Sequence, residues 1–238
     1  MDLSNDELSD YAFELGADLF GVADLTSAHD FVLKQGGVYV AKYPKAVSFG
    51  IRLVDGIVDG LYRHEDPSVI FTYRGLYNAV NSKLDQISLL IAKRIQNANF
   101  NAYPIFNIRI DSKKLIGAFS HKLAAHLSGL GWIGKSCLLI TPQYGPRLRW
   151  GTVLTDAPLD TGLPLPQRCG DCSECVDICP PKAFTGVPFN SSEPREVRFK
   201  AHLCDDYMDR RKERFGEGLC GLCVNICPHG KKKQKVNV

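Results

Sequence analysis

The sequence predicts an α/β (α+β) layered domain over residues 1–165 and a cysteine-rich module over residues 166–230, with a short basic tail at 231–238. Three observations carry this. Helical and strand-like apolar periods alternate through the first part. Eight of the nine cysteines fall between Cys169 and Cys227. A proline-rich stretch, Pro158-Leu159-Asp160-Thr161-Gly162-Leu163-Pro164-Leu165-Pro166, reads as a linker between them.

The elements follow in order. Ser4-Asn5-Asp6-Glu7 reads as a capping box that opens a helix running to Gly16. Residues 18–23 read as a strand, 27–34 as a weak helix ending in a Gly36-Gly37 turn, and 46–51 as a second strand after Pro44. In residues 69–97, Leu76, Val80, Leu84, Ile87, Leu90, Ile91 and Ile95 recur at helical spacing. Residues 103–110 are expected to be extended and 116–127 helical, with Gly129 as the stop. Residues 136–141 and 149–155 complete the strands.

Composition narrows the class. Apolar residues make up 45% and charged residues 23%, as in ordinary globular chains. The longest apolar runs, such as Cys137-Leu138-Leu139-Ile140, are too short to span a bilayer, so no membrane partner is expected. The N-terminus, MDLSNDELSD, is acidic and polar, unlike a secretory or transit leader, and the expected location is cytoplasmic. The net charge of +3 owes more than its whole value to Lys231, Lys232, Lys233 and Lys235. The remainder is nearly neutral, which argues against a broad nucleic-acid surface.

The cysteine spacing is specific. Cys169-x2-Cys172-x2-Cys175-x3-Cys179-Pro180 is the run found in bacterial ferredoxins, whose fourth cysteine serves the other of two clusters. A second run, Cys220-x2-Cys223-x3-Cys227-Pro228, lacks one cysteine at its start, and Cys204 lies sixteen residues upstream. Exchanging the fourth ligands assigns one [4Fe–4S] cluster to Cys169, Cys172, Cys175 and Cys227. The other falls to Cys179, Cys204, Cys220 and Cys223. Four-cysteine zinc sites are the alternative, but they usually show separate CxxC pairs. Two close clusters pass single electrons. Cys137, alone in the first part, reads as a small buried residue in a strand.

No dinucleotide fingerprint and no P-loop is present. Gly129-Leu130-Gly131-Trp132-Ile133-Gly134-Lys135-Ser136 is a glycine-rich turn that permits close approach to a ligand or simply tight packing.

Three segments resemble the epoxyqueuosine reductase family. They are residues 15–23 with Tyr43-Pro44-Lys45-Ala46-Val47-Ser48, residues 129–140 with the GLGWIGK string, and Leu154-Thr155-Asp156-Ala157-Pro158-Leu159 followed by the two-cluster module with its displaced Cys204. The resemblance implies a base-off cobalamin held between the α/β domain and a ferredoxin-like module, a layout shared with reductive dehalogenases. The clusters would reduce the corrinoid cobalt, drawing on a low-potential donor of ferredoxin or flavodoxin type. Gly129, Gly131, Trp132, Gly134, Lys135 and Ser136 are the residues it suggests for the corrinoid.

Two departures stand out. Family members of usual length carry C-terminal helical repeats that help hold tRNA, whereas this chain stops eleven residues after Cys227. It is therefore expected to be a short relative with a changed substrate. A tRNA partner would have to rely on the lysine tail, Arg147, Arg149 and Arg210-Arg211-Lys212, with strongly salt-dependent binding. The family's catalytic Asp lies shortly before the helix leading into GLGW, while Asp111 lies further upstream.

Proton-donor candidates are Tyr77, Asp111 and His121. Tyr77 resembles the family's tyrosine region, with a core aromatic as the alternative. Asp111 is either an acid or a helix cap. His121 either supplies a proton at neutral pH or is a hydrogen-bonded helix residue. Lys135 meets a cofactor or substrate, or forms a surface ion pair. Three functions follow: a corrinoid-dependent iron–sulfur reductase, an electron-transfer or corrinoid-reactivating protein without its own small substrate, and an epoxyqueuosine-tRNA reductase.

Overall fold

The computed structural model describes residues 3–231, so Lys232, Lys233 and Lys235 of the expected basic tail lie outside the described residues. The order is α1 (Asn5–Glu14), β1 (Leu19–Asp24), α2 (His29–Gly36), α3 (Val38–Ala41), β2 (Lys45–Arg52), α4 (Asp55–Asp59), α5 (Pro67–Asn97), β3 (Ala102–Ile105), α6 (His121–Leu127), β4 (Trp132–Ile133), β5 (Leu139–Ile140), β6 (Leu148–Thr155), α7 (Glu174–Asp177), α8 (Ala201–Phe215) and α9 (Leu222–Asn225). The chain divides into two compact units that are interleaved in sequence. The first takes residues 1–52, 77–132 and 148–166; the second takes 53–76, 133–147 and 167–238. The last change from one unit to the other falls after Pro166. Segments 53–76 and 133–147, which carry no cysteine pattern except Cys137, group with the cysteine-rich unit.

The first unit is built on a four-stranded sheet in the order β1-β2-β6-β3, with every neighbouring pair antiparallel. Helices and sheet mix as expected, and the antiparallel pairing gives the arrangement its α+β character. β2 is buried from Ala46 to Gly50, the polar Ser48 included, so both its faces are covered. At its centre, Phe49 lies opposite Gly151 and Gly50 opposite Trp150. A Cβ on Gly151 would come within 2.3 Å of the Phe49 ring, so each aromatic occupies the space that the glycine across from it leaves. The α5 periodicity holds: Leu84, Ile87, Ile91 and Ile95 are fully buried. Each contributes about 1.5–3 kcal/mol of apolar burial. α1 begins as expected, with the Ser4 Oγ accepting the Glu7 backbone N–H at 3.2 Å. The Glu7 carboxylate instead accepts from Arg94 Nε at 2.8 Å.

Several expected elements differ. Residues 116–120 are not helical; α6 starts at His121. Ile110 N–H reaches Ile116 O at 3.0 Å, Ile116 N–H reaches Asp111 O at 3.2 Å, and Asp111 Oδ1 accepts the Lys114 N–H at 2.8 Å. A local side-chain-to-backbone bond thus closes a small turn where the apolar pattern suggested helix. The extended segment ends at Ile105. The strand expected over 136–141 shrinks to Leu139–Ile140, because Cys137 has φ of +54° and its N–H closes a turn onto Gly134 O at 2.8 Å. Cys137 is buried as expected, but in a turn. The proline-rich stretch is anchored to the first unit. Asn5 and Asp160 exchange two hydrogen bonds of 2.8 and 3.0 Å, Gly162 N–H reaches Val22 O at 2.9 Å, and Ala157 and Leu159 are buried.

The second unit has a small core of Cys179, Ala183 and Phe184, against which Val176, Phe199, Cys204 and Cys223 pack. The Phe184 and Phe199 rings stack at 5.2 Å. Arg147, only 2% exposed, is held by Asp59 Oδ1 at 2.6 Å and Asp55 Oδ1 at 3.3 Å. Among the described residues no helix is long and apolar enough to cross a membrane.

Candidate functional site

The second unit brings the eight module cysteines into two groups of four. Cys169, Cys172, Cys175 and Cys227 line one pocket, together with Gly134, Lys135, Ser136, Ile140, Pro228 and His229. The two-residue steps Cys169–Cys172–Cys175 wrap the first three thiols around this space; the Cys172 N–H turns back onto Cys169 O at 3.1 Å. α7 then carries the chain away, which places Cys179 elsewhere: in the small core with Cys204 and Cys223.

Electrostatics separates the same sets. The Cys175 thiol is pushed up to about 11, first by burial and then by the negative charge that Cys227, Cys169 and Cys172 would carry beside it. Burial pushes Cys227 up to about 11, with Cys169 and Cys172 adding to it. Cys223 is pushed up strongly, first by burial and then by Cys220, Cys204 and Cys179, with Cys175 last. Burial is also the main cause of the rise at Cys220, where Cys179 contributes. Four thiolates so close to one another need positive charge at their centre.

The donor set fits iron–sulfur cubes. A tetrahedral zinc ion would draw its sulfurs to about 3.8 Å from one another, given Zn–S bonds of about 2.3 Å. The CxxCxxCxxxCP run, in place of separate CxxC pairs, suits a cube.

The glycine-rich string is used by the protein itself. Gly129 has φ of +81°, and a Cβ there would stand 2.7 Å from Leu163 O. A Cβ on Gly134 would stand 2.8 Å from Ile140 and 3.4 Å from Cys169 Sγ. Lys135 Nζ donates to Gly170 O at 2.7 Å and Cys172 O at 3.1 Å, so it fastens the first cysteine loop. Ser136 borders the same pocket. Gly131 O faces His126 Nδ1 at 3.0 Å, and Trp132 is 2% exposed.

The first unit brings two of the three proton-donor candidates together around Arg149. The Arg149 guanidinium lies 4.1 Å above the Tyr77 ring, donates from Nη2 to Tyr77 Oη at 2.9 Å, and donates from Nε to Asn81 Oδ1 at 3.0 Å. His121 Nδ1 lies 2.9 Å from the hydroxyl of Thr152, which is fully buried. The imidazole is pushed down to about 4, first by burial and second by the Arg149 cation. At neutral pH the ring is therefore uncharged. Asp111 closes the 110–116 turn, with its Oδ1 accepting the Lys114 N–H.

Arg149, Asn81 and Thr152 were not expected in this group. A single Arg between apolar residues in a buried strand, Leu148-Arg149-Trp150, was the available signal. The arginines expected for a nucleic-acid surface are mostly committed inward: Arg147 and Arg211 are each 2% exposed, and Arg149 is held by Tyr77 and Asn81.

Comparison with known proteins agrees with this picture. Residues 168–230 match the 4Fe-4S double cluster binding domain. A curated epoxyqueuosine reductase of Bacillus anthracis is 31% identical over 129 residues, covering 52% of this chain and 33% of that protein. The matched stretch thus spans about a third of that relative's length. A crystal structure of epoxyqueuosine reductase with an epoxyqueuosine-modified tRNA stem loop superposes with a TM-score of 0.60 at 17% identity, covering 96% of this chain and 65% of that one. A reductive dehalogenase, whose structure suggests a mechanism for B12-dependent dehalogenation, gives 0.68 at 18% identity, covering 95% of this chain and 31% of that one.

Proposed function

We propose that this chain, a relative of the epoxyqueuosine reductases that carries a 4Fe-4S double cluster domain, is an iron–sulfur oxidoreductase. In this reading it delivers single electrons through two [4Fe–4S] clusters to a reducible centre that acts on an organic substrate. The observation that carries it is the sorting of eight thiols into two quartets, Cys169/Cys172/Cys175/Cys227 and Cys179/Cys204/Cys220/Cys223. Two cubes supply one-electron redox steps at low potential. The eight thiolates hold them, and Lys135 fixes the first loop through its two carbonyl contacts.

Tyr77 supplies the proton that accompanies reduction of the substrate. Its oxygen accepts from Arg149, and the guanidinium stabilises the phenolate that remains once the proton is given up. Neutral His121, fixed against Thr152, keeps a second positive charge away from Arg149. The donor of electrons is a low-potential protein of ferredoxin or flavodoxin type.

The finer part of the proposal is that the reducible centre is cobalamin. Its support is the fold shared with the B12-dependent dehalogenase and the epoxyqueuosine reductases. Of the residues singled out for it, Gly129, Gly131, Trp132, Gly134, Lys135 and Ser136, three are committed elsewhere: Gly129 and Gly134 to close packing and Lys135 to the first cysteine loop. Titration of the anaerobically reconstituted protein with cobalamin, followed by absorbance and EPR, tests this part. A base-off Co(II) signal at one equivalent supports it. Two intact clusters with no corrinoid uptake leave an electron carrier whose substrate centre belongs to a partner protein.

A second reading, tRNA as the substrate, is favoured by the likeness to the tRNA-bound epoxyqueuosine reductase. Binding of an epoxyqueuosine-containing stem loop that weakens steeply with salt supports it; binding insensitive to salt removes it.

A further inference from the structure

A buried cation stands beside the second thiol quartet with two of its donors unsatisfied. Arg211 lies on α8 and is 2% exposed. Its Nη2 donates to His64 O and, at 3.3 Å, to Leu219 O, the carbonyl immediately before Cys220. Its guanidinium lies 5.7 Å from the Tyr207 ring and 5.3 Å from the Phe215 ring. Its Nε and Nη1 are fully buried and have no hydrogen-bond partner among the described residues. A buried guanidinium with two idle N–H groups is costly unless an acceptor is present in the working protein.

The neighbourhood narrows the choice of acceptor. The adjacent loop is tightly ordered: Glu217 Oε1 accepts the N–H groups of Gly218 at 2.6 Å and Leu219 at 3.0 Å, and Arg74 Nε donates to Glu217 Oε2 at 2.6 Å. That carboxylate is therefore already engaged by Arg74. The carbonyl that Nη2 reaches, Leu219 O, immediately precedes the ligand Cys220, so the idle donors stand next to the second quartet. In the first quartet Lys135 is turned onto two backbone carbonyls.

We propose that Arg211 donates Nε–H and Nη1–H hydrogen bonds to sulfur of the cluster held by Cys179, Cys204, Cys220 and Cys223, and thereby sets that cluster's reduction potential above the value burial alone would give. The inference rests on the two-cluster reading above. Reduction adds one electron and one negative charge to a cube already surrounded by thiolates in a poorly hydrated site. A fixed buried cation stabilises the reduced form more than the oxidised form, and hydrogen bonds to sulfur act in the same direction. Arg211 is a positioning and tuning residue that contacts neither substrate nor electron donor.

The test is a redox titration of the full chain, reconstituted anaerobically and followed by EPR, in the wild type, Arg211→Lys and Arg211→Met. Iron and sulfide are counted first. If the wild type holds fewer than two clusters, the two-cluster reading fails before the potential is considered. With two clusters present, Arg211→Met should lower the reduction equilibrium constant of one cluster at least tenfold, equivalent to about 59 mV for one electron, and leave the other unchanged. Arg211→Lys should fall between, because it keeps the charge and loses the planar fork. Unchanged potentials in Arg211→Met, with both clusters intact, overturn the inference while the two-cluster reading stands. Where Arg211→Met loses a cluster, the wild type decides. Reduced protein carrying ¹⁵N-labelled arginine should show an electron-spin-echo coupling to arginine nitrogen, and absence of that coupling overturns the inference.

Discussion

Replacing His121 by Gln should remove a pH dependence from the stability of the first unit. The imidazole titrates at about 4 in the folded protein, against 6.5 when unperturbed, because burial and the Arg149 cation oppose its charge. The unfolded chain therefore binds a proton on His121 that the folded protein refuses. The contribution is fully present above pH 6.5 and is lost as pH falls toward about 4. Its full size is about 3 kcal/mol, at 1.36 kcal/mol per pKa unit. Between pH 7.5 and 5.5 the same linkage gives about 1 kcal/mol. Urea unfolding at those two pH values measures it. Trp132 and Trp150, the two tryptophans of the chain, both belong to this unit and report on its unfolding. Wild type should lose about 1 kcal/mol more than His121→Gln over that interval. His64, whose pKa is also lowered by burial and by Arg211, is present in both proteins and cancels. A constant difference between the two proteins from pH 7.5 to 5.5 would refute the argument, since it would mean that the ring titrates in the folded protein as it does in water.

Further outcomes follow from the same geometry. Tyr77→Phe should slow substrate reduction by about 10²–10⁴-fold while iron content and EPR stay as in wild type; unchanged turnover would return Tyr77 to a core aromatic. Cys175→Ser should leave about half the iron and one EPR-active cluster, because it strips only the quartet that Cys175 shares with Cys169, Cys172 and Cys227. Survival of all the iron would show the ligand sets to be wrongly drawn. Gly151→Ala should cost about 1–3 kcal/mol in a thermal or urea melt, since the new Cβ would meet the Phe49 ring at 2.3 Å; an unchanged midpoint would show that the β2–β6 pair yields freely.

The legible parts of the sequence were those with a strong local signal. The α5 pattern, the β2 run after Pro44 and the Ser4 cap each follow from spacing or from one hydrogen bond, and each is present. The cysteine spacing carried further, because CxxCxxCxxxCP sets three thiols around one space and sends the fourth to another whatever the rest of the chain does. It also accommodated Cys204, which the fold delivers on α8. Patterns decided by competition were harder to read. Residues 116–120 have helical apolar spacing, yet the Asp111 side chain bonds the Lys114 N–H and the chain turns instead. Cys137-Leu138-Leu139-Ile140 looks like a strand, but Cys137 adopts a left-handed backbone conformation to close a turn onto Gly134. Long-range polar groups gave no local signal. Arg149 meets Tyr77 and Asn81 from 72 and 68 positions away, and Arg211 meets His64 O from 147 away. The same distance in sequence hid the fate of Arg147 and Arg211, which look like surface charges in the sequence and are interior ions in the fold.

The central claim is that two thiol quartets hold two iron–sulfur cubes, and metal and sulfide analysis of the full chain reconstituted without oxygen tests it most directly. The account predicts about eight irons and eight acid-labile sulfides per chain, with dithionite reduction giving the EPR signature of two magnetically interacting [4Fe–4S]⁺ centres. About two zinc ions per chain without sulfide, or four irons in a single non-interacting centre, would contradict it.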